Sequence, residues 1–327
     1  MNKRKKDEEE VKEILLGIDM FLEKEFDKRI TDISSTRLHK ICWLVIEEFD
    51  LNITRAWYKR GQFIFNGQET IKKTNKEGIS DIQQGELSEK SKKFLTNNRK
   101  LLSNYINTSF QHFIKYDYRH YAPQEFQEFY EAHNIIFDVM YSLLDKKDLN
   151  KFQNAIERVD AKEKISNKIS KIHLELISNE SFNQIEEEYI EFTNIYEDLF
   201  LSLKFKAEND ELTNKQWKKS LEVFKTYFDQ HANDNEDVWG KIAWIISNET
   251  VKGRDSERIK NISNNKLNQT IEDLKSINRR TRRILEDFDL QPKEEIYTSS
   301  LKETGFPESD KKTIKRFTHT YSIKNRE

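Results

Sequence analysis

The 327 residues hold only 8 glycines and 3 prolines, with no glycine between Gly85 and Gly240. Ordinary usage is about 7 % and 5 %, and a dinucleotide fold or phosphate loop needs glycine where backbone meets phosphate, so that stretch holds neither and the chain reads as mainly α. The 56 basic and 58 acidic residues leave a net charge of −2, which excludes a global field toward nucleic acid or membrane, and the longest apolar run, 41–46, falls far short of the ~20 residues that cross a bilayer.

In chain order, Val11, Ile14, Leu15, Ile18, Phe21, Leu22 and Phe26 recur at helical spacing and predict a first amphipathic helix over residues 7–29. Ser34, Ser35 or Thr36 caps a second helix ending near Asp50, with Leu38, Ile41, Cys42, Val45 and Phe49 on its buried face. Residues 51–58 are β-branched and aromatic, Gly61 makes a turn and Phe63-Ile64-Phe65 returns, which reads as a β-hairpin. Residues 1–67 thus form a small N-terminal helix–β-hairpin module. Residues 68–90 are polar, contain Gly78 and Gly85, and are expected as a linker or loop.

An aromatic-rich helical section follows at 91–148, where Pro123 suits the first turn of a new helix and makes 116–122 the expected connection. Residues 149–290 form a helical scaffold. Within it Ile165, Ile169, Ile172 and Leu176, then Ile185, Tyr189, Phe192, Tyr196, Leu199 and Leu203, carry heptad-like spacing across a short polar turn. An antiparallel coiled-coil-like hairpin at 149–205 is the structure this predicts, within a helical bundle. Lys162, Lys164, Lys168 and Lys171 of its first arm would face the acidic second arm. The tail 291–327 is polar and expected to be loosely ordered.

Candidate chemistry is sparse. His112, Asp117 and His120 lie close in sequence but match no metal-ligand spacing. They read better as helix-end polar groups with Asp117 capping, and neither a metal nor another cofactor is expected. Cys42, the single cysteine, sits on a buried helix face where a thiol is inert, and one cysteine fits a reducing, cytoplasmic compartment. No serine stands in a nucleophile elbow, so an enzyme is not expected. The aromatics of 105–141 fall mostly at helical spacing and read as core, with Tyr118, Arg119, His120 and Tyr121 as exposed exceptions in the connection.

Two groups of cations are candidate binding residues. Lys275, Arg279 and Arg282 share a face of the basic stretch 252–289, with Arg280 and Arg283 beside them, a pattern suited to phosphate. The balanced total charge favours instead a solvated face, or one paired with the acidic arm at 180–198 of this chain or a second copy. Arg37, His39 and Lys40 lead the second helix, and Lys59-Arg60 stand at the hairpin tip. Together these five make an expected polar docking edge.

Within 31–65, the capped start at residues 34–36, the Arg37-Leu38-His39-Lys40-Ile41 opening, Trp43, and the Trp57-Tyr58-Lys59-Arg60-Gly61 step resemble the Panacea (SocA-like) domain of antitoxins and proteolysis adaptors. The family's Gly-Pro pair is Gly61-Gln62 here. The resemblance implies a non-enzymatic regulatory protein in toxin neutralisation or defence that binds a protein partner. A protein partner or a homo-oligomer is therefore expected, with nucleic-acid binding through 252–289 and the hairpin tip as the alternative.

Overall fold

The computed structural model describes residues 2–79, 84–144, 149–157, 159–209, 211–232 and 238–292. These residues form a helical bundle with one two-stranded antiparallel sheet, as the glycine-poor composition requires. The chain opens with α1 (Lys3–Phe26), a 3-10 turn (Ile30–Asp32), α2 (Ser35–Glu48), β1 (Arg55–Tyr58), β2 (Gly61–Ile64) and α3 (Gln68–Glu77). The apolar stripe of α1 from Val11 to Leu22 is fully buried. Aspartate, not glycine, ends several helices: Asp27 after α1 and Asp50 after α2 take the left-handed conformation with φ of 51° and 46°. Its short polar side chain tolerates that region better than most.

The stretch expected as a linker is in part a helix. α3 buries Ile71 against the neighbouring helices, and α4 (Glu86–Asn97) lies along α1. After α5 (Arg99–Asn107), α6 (Phe110–Tyr121) runs straight through the segment expected as a connection. Only Ala122 and Pro123 separate it from α7 (Gln124–Leu144). Tyr118 is accordingly buried, whereas Arg119 and His120 are exposed. Tyr105, Phe113, Phe126, Phe129 and Tyr130 are core, as their spacing predicts.

The scaffold comprises α8 (Leu149–Glu157), α9 (Val159–Ser178), α10 (Glu186–Glu208), α11 (Asn214–Ala232), α12 (Val238–Thr250) and α13 (Ser256–Asp287). α9 and α10 form the expected hairpin, with Ile169, Ile172, Leu176, Ile185, Tyr189, Phe192, Tyr196, Leu199 and Leu203 buried. It does not stand alone, because α9 also packs on α7 and α10 on α13. Charge pairing departs from the expectation for the same reason: Lys171 reaches Glu128 of α7 at 3.0 Å. The side chains of Lys162 and Lys164, and the tail from residue 293, lie outside the described residues.

The hydrophobic core runs continuously from Val11 to Leu290, so the N-terminal elements are built into the scaffold. β1 lies on α12. Its outer edge is closed by backbone hydrogen bonds between Arg55 and Lys252 of 3.0 and 2.9 Å. Thr250 Oγ1 accepts from Trp57 N at 3.0 Å, and Ser247 Oγ donates to Trp57 O at 2.7 Å. These bonds leave β1 no open edge to template another strand. At the base of the hairpin, fully buried Asp7 accepts from Thr54 N (3.1 Å), Thr54 Oγ1 (2.7 Å) and Asn66 Nδ2 (2.8 Å), and pairs with Arg254 Nε at 3.0 Å. One carboxylate thereby joins α1, the hairpin and the start of α13. Removing one partner of a buried charge pair strands the other, so Asp7→Ala is expected to lower unfolding free energy by about 3–5 kcal/mol in urea titration, whereas a change in an exposed partner such as Glu86→Ala, which pairs with Lys90, leaves it within error.

Candidate functional site

The hairpin tip is the most constrained point of the N-terminal region. Neither Lys59 nor Arg60 has a positive φ, whereas Gly61 stands at +90°. That is the pattern of a type I turn closed by a glycine bulge. Gly61 is also required sterically, since a Cβ there would stand 2.5 Å from Lys40 Nζ and 2.7 Å from Asp117 Oδ2. The turn therefore lies directly on a Lys40–Asp117 ion pair of 2.7 Å whose two side chains have no exposed surface.

Lys40, from α2, also donates to Arg60 O at 2.5 Å and lies 5.8 Å from the ring centroids of both Trp57 and Phe113. Asp117, from α6, accepts from Tyr105 Oη at 3.4 Å through its other oxygen. Burial pushes the Lys40 ammonium down and the Asp117 carboxyl up, and each group's charge and hydrogen bond to the other opposes the shift. The charge of Arg60 presses Lys40 down further. Without exposed surface the pair meets no solute; what it does is clamp the turn to α2 and α6.

His39, one residue earlier, is buried beside β2. Its Nδ1 accepts from Ile64 N at 3.2 Å, which places the neutral ring's proton on Nε2, and the ring stacks on Phe63 at 4.4 Å. Burial first, and the charge of Lys40 second, bring its pKa down to about 3. Arg37 is half-buried, donating to Ile106 O at 3.0 Å and Thr108 O at 2.5 Å with its guanidinium over Phe113.

The expected docking edge is thus not an edge. β2 packs on α2, so His39 and Lys40 face inward, Arg37 is engaged by backbone, and Lys59 is half-buried. Arg60 alone of the five is exposed, its guanidinium 5.6 Å from the ring of Phe110. The histidines do not converge either. His112 contacts Ser109, His120 contacts Tyr116 O, and Asp117 holds Lys40 instead of capping a helix. Among the described residues no three His, Cys, Asp or Glu side chains are placed to hold a metal ion. Burial pushes the Cys42 thiol up, away from reactivity.

On α13 the cations divide. Arg282 is half-buried and bridges Glu191 at 2.8 Å and Asp198 at 2.6 Å on α10. Burial works against its charge, but the Glu191 hydrogen bond and the charges of Asp198 and Glu191 outweigh this and raise its pKa. Lys275, Arg279, Arg280 and Arg283 are exposed, Lys275 lying 3.4 Å from Glu272.

One group is only partly legible in the sequence. Tyr58, Phe63 and Phe65 share a hairpin face, given the register Tyr58↔Gly61 and Ala56↔Phe63, and Trp244 of α12 joins them. Ring centroids are separated by 5.4 Å (Tyr58–Phe63), 5.0 Å (Phe63–Phe65), 5.2 Å (Tyr58–Trp244) and 5.4 Å (Phe65–Trp244). All four are half-buried, and they form a group beside the continuous core. Alternation in the hairpin gives the first three; Trp244 arrives from far along the chain, without a local signal.

Two outcomes follow from the clamp and its neighbour. Gly61→Ala combines a strained φ with a collision at Lys40, and is expected to cost about 1–3 kcal/mol in chemical denaturation. For His39, a folded-state pKa of about 3 against 6.5 means that its contribution is complete above the ordinary value and is lost as pH falls from 6.5 toward 3. That amounts to about 4 kcal/mol across the window, and His39→Gln should flatten the dependence of the urea midpoint on pH over this range.

Residues 64–309 match the family described as a domain of unknown function, DUF8098. The match spans more than half of the chain, which therefore belongs to that family. Residues 31–65, where the Panacea resemblance lies, fall almost wholly before the matched span. No curated protein and no solved structure matches the chain.

Proposed function

We propose that this DUF8098-family chain is a non-enzymatic regulatory protein that acts by holding a protein partner on the aromatic face of its hairpin. The observation that carries the reading is the group of Tyr58, Phe63, Phe65 and Trp244, half-buried beside the core on an element fixed at its tip and base. Aromatic side chains on a rigid surface are the residues that dominate protein interfaces. Neutralisation of a toxin in the cytoplasm is the form of this role that the resemblance of residues 31–65 implies.

A second reading, nucleic-acid binding along α13, is favoured by the exposed Lys275, Arg279, Arg280 and Arg283. Against it stands Arg282, the best-buried cation of that row, which is already neutralised by two carboxylates of the same chain.

Comparative capture from native lysate separates the two. With Phe65→Ser and Trp244→Ser combined, the captured protein should be lost while thermal stability shifts by only a few degrees. With Arg279→Glu and Arg283→Glu combined, capture should persist. A salt-sensitive affinity for single- or double-stranded DNA or RNA that disappears in the second pair, with no effect of the first on any captured protein, replaces the first reading by the second.

A further inference from the structure

The Lys40–Asp117 pair is closed to any solute, and its surroundings suit a reaction between its own two members. In water an ammonium and a carboxylate do not condense, because the ammonium has no free lone pair and the carboxylate resists attack. Here neither side chain has exposed surface, and Trp57, Phe113 and Tyr105 beside them are buried as well. Burial favours the neutral amine and the neutral acid, and the charge of Arg60 favours the amine further. Nζ and Oδ2 are 2.7 Å apart, so the nitrogen is at most one C–O bond farther from the carboxyl carbon. Reactants held in a productive geometry reach effective concentrations of about 10⁵–10⁸ M.

The hydrogen-bond partners at the site match an amide better than they match two ions. An ammonium carries three donors and a carboxylate only acceptors. Besides each other, Lys40 Nζ has Arg60 O at 2.5 Å and Asp117 has Tyr105 Oη at 3.4 Å. A secondary amide needs one acceptor for its N–H and one donor for its oxygen, which are the two groups present.

We infer that Lys40 and Asp117 condense to an intramolecular amide once the chain has folded, with loss of water. A proton passes from Nζ to Oδ2, and the freed lone pair attacks Cγ. The Cγ–Oδ2 bond then breaks, and Oδ2 leaves as water with that proton and a second one from Nζ. Oδ1 stays as the amide oxygen, accepting from Tyr105, and the remaining N–H donates to Arg60 O. The step needs no oxidant and no co-reactant, and the aromatic walls keep water from the reverse reaction. With Cys42 as its single cysteine the chain cannot staple itself by a disulfide. The amide does so between α2 and α6, and constrains the unfolded chain in the same way. The partner-binding reading stands or falls without it.

Mass spectrometry of the purified full chain tests this. The intact mass in denaturant should lie below the sequence mass by one water. Trypsin should spare the bond after Lys40 and release residues 38–55 joined to residues 116–119, with fragmentation placing the link between Lys40 and Asp117. Asp117→Ala should restore both the sequence mass and cleavage after Lys40. Should that variant not fold, the peptide map of the parent decides alone. The full sequence mass in fresh and in aged protein, with ordinary cleavage after Lys40, overturns the inference. So does a loss of water confined to one tryptic peptide, as from a succinimide, or one that persists in Asp117→Ala.

Discussion

A lysine and an aspartate with no exposed surface hold the hairpin tip in place. Taking two charges out of water costs several kcal/mol per ion unless geometry and additional hydrogen bonds return it. Here the ammonium has the carboxylate, the carbonyl of Arg60 and the faces of Trp57 and Phe113 around it, and the carboxylate has Tyr105 in addition. An apolar pair of similar volume could fill the same space, often at no loss of stability. It could not choose a turn carbonyl. By donating to Arg60 O, Lys40 fixes which residues form the tip, and so which side chains point out of it. Gly61 is the complement of that choice, because any side chain there would occupy the position of the ion pair.

Two antiparallel strands alone are marginal in water, and the hairpin is braced along both edges, at its tip and at its base. α2 lies against β2, α12 closes the free edge of β1, and Asp7 ties the base to α1 and to Arg254 before α13. Trp239 Nε1 donates to Lys59 O at 2.9 Å, adding α12 to the tip. The face bearing Tyr58, Phe63 and Phe65 is thus held by contacts from both halves of the chain. A surface so braced loses little conformational entropy when something docks on it, which is the condition under which a small aromatic patch yields useful affinity.

Much of this fold was legible in the sequence because its signals are local. Helical spacing marks α1 and α2, alternation and Gly61 mark the hairpin, and heptad-like spacing marks α9 and α10. The failures share a cause. His39 and Lys40 read as surface residues because polar groups at the start of a helix usually are, and the carboxylate that allows Lys40 to be buried comes 77 positions later, at Asp117. α3 was obscured by its polar composition, with Ile71 and Thr74 its only buried residues. The connection expected at 116–122 ends α6 six residues too early, because Pro123 needs only Ala122 before it and the helix continues to Tyr121. Trp244 belongs to the aromatic face through tertiary contact alone.

The near-zero net charge conceals how unevenly cations are matched once the chain folds. The acidic arm supplies Glu191 and Asp198 to Arg282, Glu10 and Asp7 serve Arg254, and Asp117 serves Lys40. Each of these pairings removes a cation that the sequence offers as a contact residue or brace. The pairing of Lys40 has a further effect, since it uses the carboxylate beneath Gly61 and orders the turn whose Arg60 side chain lies over Phe110. Folding therefore turns most of these cations inward, and among the described residues Arg60 is left exposed over Phe110 and in no ion pair.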